Sequence, residues 1–285
     1  MISRAGDPRP IGVFDSGVGG LTVLSELRRR LPDESTIYLG DNARAPYGPR
    51  SADEVRRFTL ACVGALLELD VKLLVLACNT ATARALPQVR EMAPVPVIGV
   101  VRPGALTAAA ATRSGRVGVL ATAGTVESGA YVQAIEEAEP RIMVRQQACP
   151  DLVPLVEAGT LDGSEIESAL HGYLDPLLDR DGAIDTLLLG CTHYPLLRPL
   201  IERLAGDAIA VVDSAFTTAL AVEDLLDELR ARAPRGSVPA HRILTTGDVA
   251  AFTTVAEHVF GAELPSVERI EVQPDEVPAS APGRG

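Results

Sequence analysis

Two stretches far apart in the chain follow one plan: an aliphatic run that stops at a cysteine followed by small polar residues. Leu73–Ala77 lead into Cys78-Asn79-Thr80, and Thr186–Gly190 lead into Cys191-Thr192-His193. A short, continuous apolar run with polar bounds is the pattern of a strand buried on both faces of a parallel sheet. In open α/β sheets, ligands bind beyond the carboxyl ends of the strands, against the first turn of the next helix. Each cysteine therefore stands where such a sheet presents its chemistry. A lone buried cysteine is ordinarily a small hydrophobe, and Cys62 and Cys149 read that way. The duplication sets Cys78 and Cys191 apart.

A second pair of segments repeats as well. Ile11–Val18 (IGVFDSGV) and Val117–Gly124 (VGVLATAG) match in form, with Ala121 opposite Asp15 and Thr122 opposite Ser16. Two matched pairs point to two related α/β halves facing each other, and a chain of 285 residues has room for two domains. Further strands are expected at Ser35–Leu39, Pro96–Val100, Ile142–Gln146, Ile209–Val212 and Arg242–Thr245. Helices are expected at 21–30, 52–69, 80–92, 125–138, 164–178, 214–232 and 249–260, with Pro87 a point where the third would break. The turn Asp15–Gly20 looks like a dinucleotide fingerprint only in part, since Thr22 stands at the third glycine. It reads better as a tight strand-to-helix turn with amides free to meet an anion.

Composition removes several classes of function. A formal charge of −12 and 4% aromatic residues argue against a nucleic-acid surface. The residues Arg4, Asp7 and Arg9 fall where a signal peptide needs its apolar core, and no apolar run reaches membrane-spanning length. A cytoplasmic protein with no membrane partner and reduced thiols is expected, because the four cysteines form no CxxC pair. The chain has a single lysine, Lys72, at the start of the Leu73–Ala77 strand and so at the far end from Cys78. That leaves no lysine for a pyridoxal Schiff base. A P-loop is excluded too, because Leu73 follows that lysine.

Two opposed thiols without a cofactor suit one chemistry well. Inverting a stereocentre beside a carboxylate needs one group to take a proton from one face while another delivers a proton to the opposite face. Thiols can be tuned to either protonation state, and a helix amino terminus after each cysteine would favour the thiolate. Ser16, Asn79, Thr80 and Thr192 can hold carboxylates without a cation. Asp15 is placed to assist one thiol and His193 the other. Other readings stay open on these residues: a Cys191–His193 thiol hydrolase, an amino-acid binding protein without catalysis, or a zinc site of Cys78, Cys191 and His193.

The segments Phe14–Val23 (FDSGVGGLTV), Gly40–Gly48 (GDNARAPYG), Ala77–Ala83 (ACNTATA), Cys149–Gly159 (CPDLVPLVEAG), Leu187–Leu197 (LLLGCTHYPLL) and Thr245–Asp248 (TTGD) resemble the glutamate racemases of the aspartate/glutamate racemase family. The resemblance implies two pseudo-symmetric, doubly wound α/β domains whose parallel sheets face a shared cleft. It divides the chain into residues 10–99 plus 213–270 as one domain and 100–212 as the other, with loose termini at 1–9 and 271–285. It implies a cofactor-independent, homodimeric enzyme that interconverts L- and D-glutamate and supplies the D-enantiomer for peptidoglycan, with no metal. Cys78 would exchange the proton of D-glutamate and Cys191 that of L-glutamate, with Asp15, His193 and Glu157 assisting. Substrate contacts would come from Asp15, Ser16, Tyr47, Gly48, Asn79, Thr80, Thr122, Thr192 and His193. Ala121 departs from the family, which has glycine there. A two-thiol racemase for aspartate or a hydantoin is the rival within the same chemistry.

Overall fold

The structure is a computed structural model that describes residues 6–178, 184–260 and 266–274. Strands and helices alternate through β1 (Ile11–Asp15), α1 (Leu21–Arg30), β2 (Thr36–Gly40), α2 (Ala52–Leu67), β3 (Leu73–Leu76), α3 (Asn79–Met92) and β4 (Val97–Gly99). After α4 (Val101–Ala111) the alternation begins again with β5 (Arg116–Ala121), α5 (Ala123–Ser128), α6 (Ala130–Ala138) and β6 (Met143–Ala148). It continues through α7 (Leu152–Glu157), α8 (Ser164–Leu178), β7 (Thr186–Gly190), α9 (Arg198–Ala205) and β8 (Ala210–Asp213). The chain closes with α10 (Ala215–Glu228), β9 (His241–Thr245), α11 (Val249–Phe260) and β10 (Val267–Arg269).

The strands form two parallel sheets, one of six in the order β10-β9-β2-β1-β3-β4 and one of four in the order β6-β5-β7-β8. The order β2-β1-β3-β4 thus recurs as β6-β5-β7-β8, which is the internal repeat written as topology. Both sheets are covered on both faces, as parallel sheets must be. Ile11, Val13, Leu73 and Val75 pack on α1, α10 and α11, while Phe14, Leu39, Leu74 and Leu76 pack on α2 and α3. In the second sheet, Leu187 and Leu189 face α7, α8 and α9, and Val117, Val119 and Leu188 face α4 and α6.

The halves exchange a helix. The first run ends in α4, whose Val101, Ala105 and Ala108 are buried on the second sheet beside Tyr131 and Ile135 of α6. The second run ends in α10, whose Ala215, Ala219 and Val222 are buried on the first sheet beside Val23, Leu24 and Leu27 of α1. Each sheet therefore completes its apolar cover with a helix that follows an edge strand of the other, β4 or β8.

Several local expectations are corrected. Pro87 does not break α3, which runs unbroken from Asn79 to Met92. Ala85 and Val89 on either side of it are fully buried, and that packing holds the segment helical despite the missing N–H. The single helix expected over 125–138 is two, parted at Gly129, whose φ of +68° is a left-handed conformation that glycine adopts at little cost. Residues 6–9 are not loose: the Asp7 N–H donates to the Arg232 carbonyl at 3.0 Å, and Lys72 Nζ donates to the Asp7 carbonyl at 2.7 Å. The other end is held at 270–272, where Ile270 N–H donates to the Thr245 carbonyl and Arg44 to that of Val272. The expectations for residues 1–5 and 275–285 fall outside the described residues.

Candidate active site

The carboxyl ends of β1, β3, β5 and β7 converge, two from each sheet, as the positions of ligand sites in open parallel sheets require. Between them lies a cavity of about 20 Å³ lined by Ser16, Ala45, Pro46, Tyr47, Gly48, Cys78, Asn79, Thr80, Thr122, Val153, Glu157, Cys191, Thr192 and His193. Both cysteines thus border one space. A larger cavity of about 670 Å³ lies between α4 and α10, but its lining holds no cysteine or histidine and is mostly apolar. Of these two, only the smaller brings both cysteines and His193 together.

Cys78 caps α3: its backbone is extended, and its sulfur accepts the Ala81 N–H at 3.4 Å while the thiol donates to Ser16 Oγ at 3.4 Å. The expected thiolate at a helix start is not what the surroundings favour. Burial, then the negative charge of Asp15, pushes the Cys78 thiol up to about 12, outweighing its hydrogen bonds with Ser16 and the Ala81 amide. Cys78 is therefore held as the neutral acid.

Cys191, unlike Cys78, does not open an α-helix. The chain after it makes a turn and a 3-10 helix over Tyr194–Leu197 before α9 starts at Arg198, since Pro199 has no N–H to bond back to Pro195 in a continuous α-helix. That tighter path swings His193 back, so that its Nδ1 lies 3.8 Å from Cys191 Sγ and its Nε2 3.0 Å from Glu157 Oε1. Burial pulls His193 down, but the hydrogen bonds with Cys191 and Glu157 outweigh it and push the imidazole up to about 10. A buried imidazolium thus sits beside one sulfur, and a neutral thiol stands as the other.

Asp15 is fully buried and is not among the lining residues. Its carboxylate accepts the Gly17 N–H at 3.0 Å and the Thr192 hydroxyl at 3.4 Å. Burial first of all raises its pKa, and the charge of His193 opposes that rise. Asp15 thus meets the cavity wall only through Thr192. Tyr47 lines the cavity, but its hydroxyl donates to Asp41 at 2.5 Å, leaving only its ring and main chain for a bound molecule. The close approach of the halves is visible at Gly19, where a Cβ would lie 2.5 Å from His193 Nδ1.

The cleft is shut by bonds between the halves. Thr80 and Thr122 share a hydrogen bond at 2.8 Å, Gly124 N–H donates to the Gly48 carbonyl at 3.0 Å, and Thr22 Oγ1 donates to the Thr192 carbonyl at 3.2 Å. Tyr131 Oη donates to Asn79 Oδ1 at 2.5 Å. The remaining space suits roughly one water, so an amino acid enters only if the bonds made by Thr80, Gly124 and Thr22 part. Sequence reasoning missed Val153, Ala45, Pro46 and Tyr131, whose apolar or mid-helix settings carry no chemical signal.

Two alternatives lose ground on this geometry. Among the described residues, no three His, Cys, Asp or Glu side chains are grouped to hold a metal ion, so the zinc alternative has no ligand set. The Cys191–His193 contact by itself would serve a thiol hydrolase, yet that leaves the second thiol in the same cavity without a task. Among the described residues no helix is long and apolar enough to cross a membrane.

In this two-lobed parallel α/β chain with paired thiols at its cleft, residues 15–223 match the model of the Asp/Glu/Hydantoin racemase family. The chain belongs to that family, whose members are isomerases. Within it, the chain is similar to glutamate racemases. The glutamate racemase of Oceanobacillus iheyensis is 48% identical over 252 residues, covering 88% of this chain and 92% of the relative. The crystal structure of a glutamate racemase isoform from Bacillus anthracis superposes with a TM-score of 0.88 at 42% identity, covering 92% of this chain and 97% of that one. The enzyme from Francisella tularensis, solved in complex with D-glutamate, gives 0.86 at 34% identity over 94% and 99% of the two chains.

Proposed function

We propose that this protein interconverts L- and D-glutamate by transferring protons between Cys78, Cys191 and the α-carbon. The observation that carries this reading is that two thiols, one from each sheet, line one cavity. One sulfur, as thiolate, takes the α-proton. The electron pair of the broken Cα–H bond is held next to the carboxylate and then takes a proton from the opposite thiol, leaving the inverted centre and a thiolate on the other side. In the empty enzyme Cys78 is the acid, and the His193 imidazolium supplies positive charge at the Cys191 sulfur. That state is ready to take L-glutamate from the Cys191 face and release D-glutamate.

Substrate carboxylates are met by neutral donors: the hydroxyls of Ser16, Thr80, Thr122 and Thr192, the Asn79 amide and the amides at the start of α3. The relatives' names favour glutamate over aspartate, and one solved relative holds D-glutamate. We read the D-glutamate as destined for peptidoglycan and the enzyme as a cytoplasmic homodimer, on the family resemblance alone. Asp15 is the proposed assistant of Cys78, and His193 with Glu157 that of Cys191.

Incubation of each glutamate enantiomer in heavy water, after dialysis against a strong chelator, tests the reading. Product carrying deuterium at the α-carbon is expected from both directions. Product that keeps its protium, loss of activity on chelation, or faster turnover of aspartate than of glutamate would sink it.

Glu157→Gln gives a finer test. With the carboxylate gone, His193 loses part of what holds its proton, so the imidazolium is lost at lower pH. The alkaline limb of kcat/KM is expected to move down by roughly one pH unit. It must do so equally for both enantiomers, because they are equal in energy and kcat/KM is fixed to the same value in each direction. A limb that stays in place would remove Glu157 from the mechanism.

A further inference from the structure

We propose that Tyr131 is a positioning residue that fixes the Asn79 side chain with its NH2 group toward the cavity, as a donor to a substrate carboxylate. This deepens the glutamate reading above and rests on it. Tyr131 lies in α6 of the second half and is fully buried, whereas Asn79 opens α3 in the first half. Its hydroxyl spans the two at 2.5 Å.

The amide presents its oxygen to the phenol: Tyr131 Oη lies 2.5 Å from Asn79 Oδ1, which can only accept, so the phenol's single proton goes to it. Asn79 Nδ2 is left buried, with no hydrogen-bond partner among the described residues, on a side chain that lines the cavity. A buried donor without a partner needs an explanation, and a bound carboxylate supplies one.

The ring has a second contact that ties it to the other thiol. A Cβ on Gly190 would lie 2.8 Å from Tyr131 Cε2, so the ring fills the space beside the residue before Cys191. One side chain thus touches the residue next to each cysteine. Phenylalanine keeps the ring and its packing and removes only the hydroxyl, which separates positioning from filling.

In Tyr131→Phe the Asn79 amide is free to turn its oxygen toward the carboxylate. KM for both enantiomers is expected to rise about tenfold, equivalent to about 1.4 kcal/mol, with kcat changed less than about threefold. In an Asn79→Ala background the same change should have no further effect, because it acts through an amide no longer present. An unchanged KM in Tyr131→Phe, or effects of Tyr131→Phe and Asn79→Ala that add, overturns the proposal. So does a fall in kcat and thermal stability at constant KM, which is what a purely structural tyrosine would give. Should Tyr131→Phe not fold, an unchanged KM in Asn79→Ala overturns it instead. Wild-type protein that racemises no glutamate removes the substrate reading and this proposal together, whereas active wild type with an unaltered Tyr131→Phe removes this proposal alone.

Discussion

Cys78→Ala and Cys191→Ala are each expected to lower glutamate racemisation by roughly 10³-fold or more, in both directions, while the protein stays folded. Each thiol is the base in one direction and the acid in the other, so neither enantiomer escapes the loss of either. The double variant should be little worse than each single one, because two groups that act in one step are not additive. The fold should survive. Each sulfur borders a cavity, and its removal deletes one atom beside existing space, at a cost of about 1 kcal/mol. Circular dichroism of the reaction mixture follows the turnover, and thermal unfolding checks the fold. Either variant retaining more than a tenth of wild-type activity would show that the pair is misassigned.

The largest expected loss of stability lies at the opposite end of β3. Lys72 Nζ is 2.6 Å from Glu34 Oε2, with side chains 1% and 3% exposed. The ammonium also donates to the carbonyls of Asp7 and Ala231 at 2.7 and 2.8 Å, and Glu34 Oε1 accepts the Ala233 N–H at 2.7 Å. Four segments meet on this one ion pair. Glu34→Ala leaves a buried ammonium facing only carbonyls, which is expected to cost about 3–5 kcal/mol, a large share of a typical domain's 5–15 kcal/mol or so. Replacing both partners with apolar residues, as Lys72→Met with Glu34→Leu, should recover most of that loss. Urea denaturation followed by fluorescence or circular dichroism measures both. Stability of Glu34→Ala within about 1 kcal/mol of wild type would contradict the assigned role. Activity well below the unfolding temperature should be unaffected, because the pair and the thiols stand at opposite ends of the strand.

The same lysine shows how far the sequence could be read. Its place at the start of a strand was enough to separate it from Cys78, yet nothing local announced that it gathers Asp7, Glu34 and Ala231 around it. Helix α4 escaped sequence reading because Pro103 and Gly104 interrupt its pattern, and β10 because three residues at a sheet edge carry almost no periodicity. Gly129 divides α5 from α6, and in sequence it differs little from a glycine tolerated within a helix. The expected residues that line the cavity were mostly legible because they stand at strand ends, where residue type is set by local geometry and chemistry together. Tyr131 was not, since a tyrosine in mid-helix has no neighbour in sequence that reveals its partner.

Local order in the chain determined the repeated buried strands, the thiol at the end of each third strand, the two α/β halves and the residues able to handle a carboxylate. These follow from hydrophobic period and from what each residue type can do, and both are properties of short stretches. Only the tertiary structure decided that Asp15 is buried outside the cavity lining, that Cys78 is held as an acid and His193 as a cation, and that the cleft is shut. Those features depend on how deeply a group is buried and which charge lies across the cleft, and both are set by packing between segments that the sequence keeps far apart.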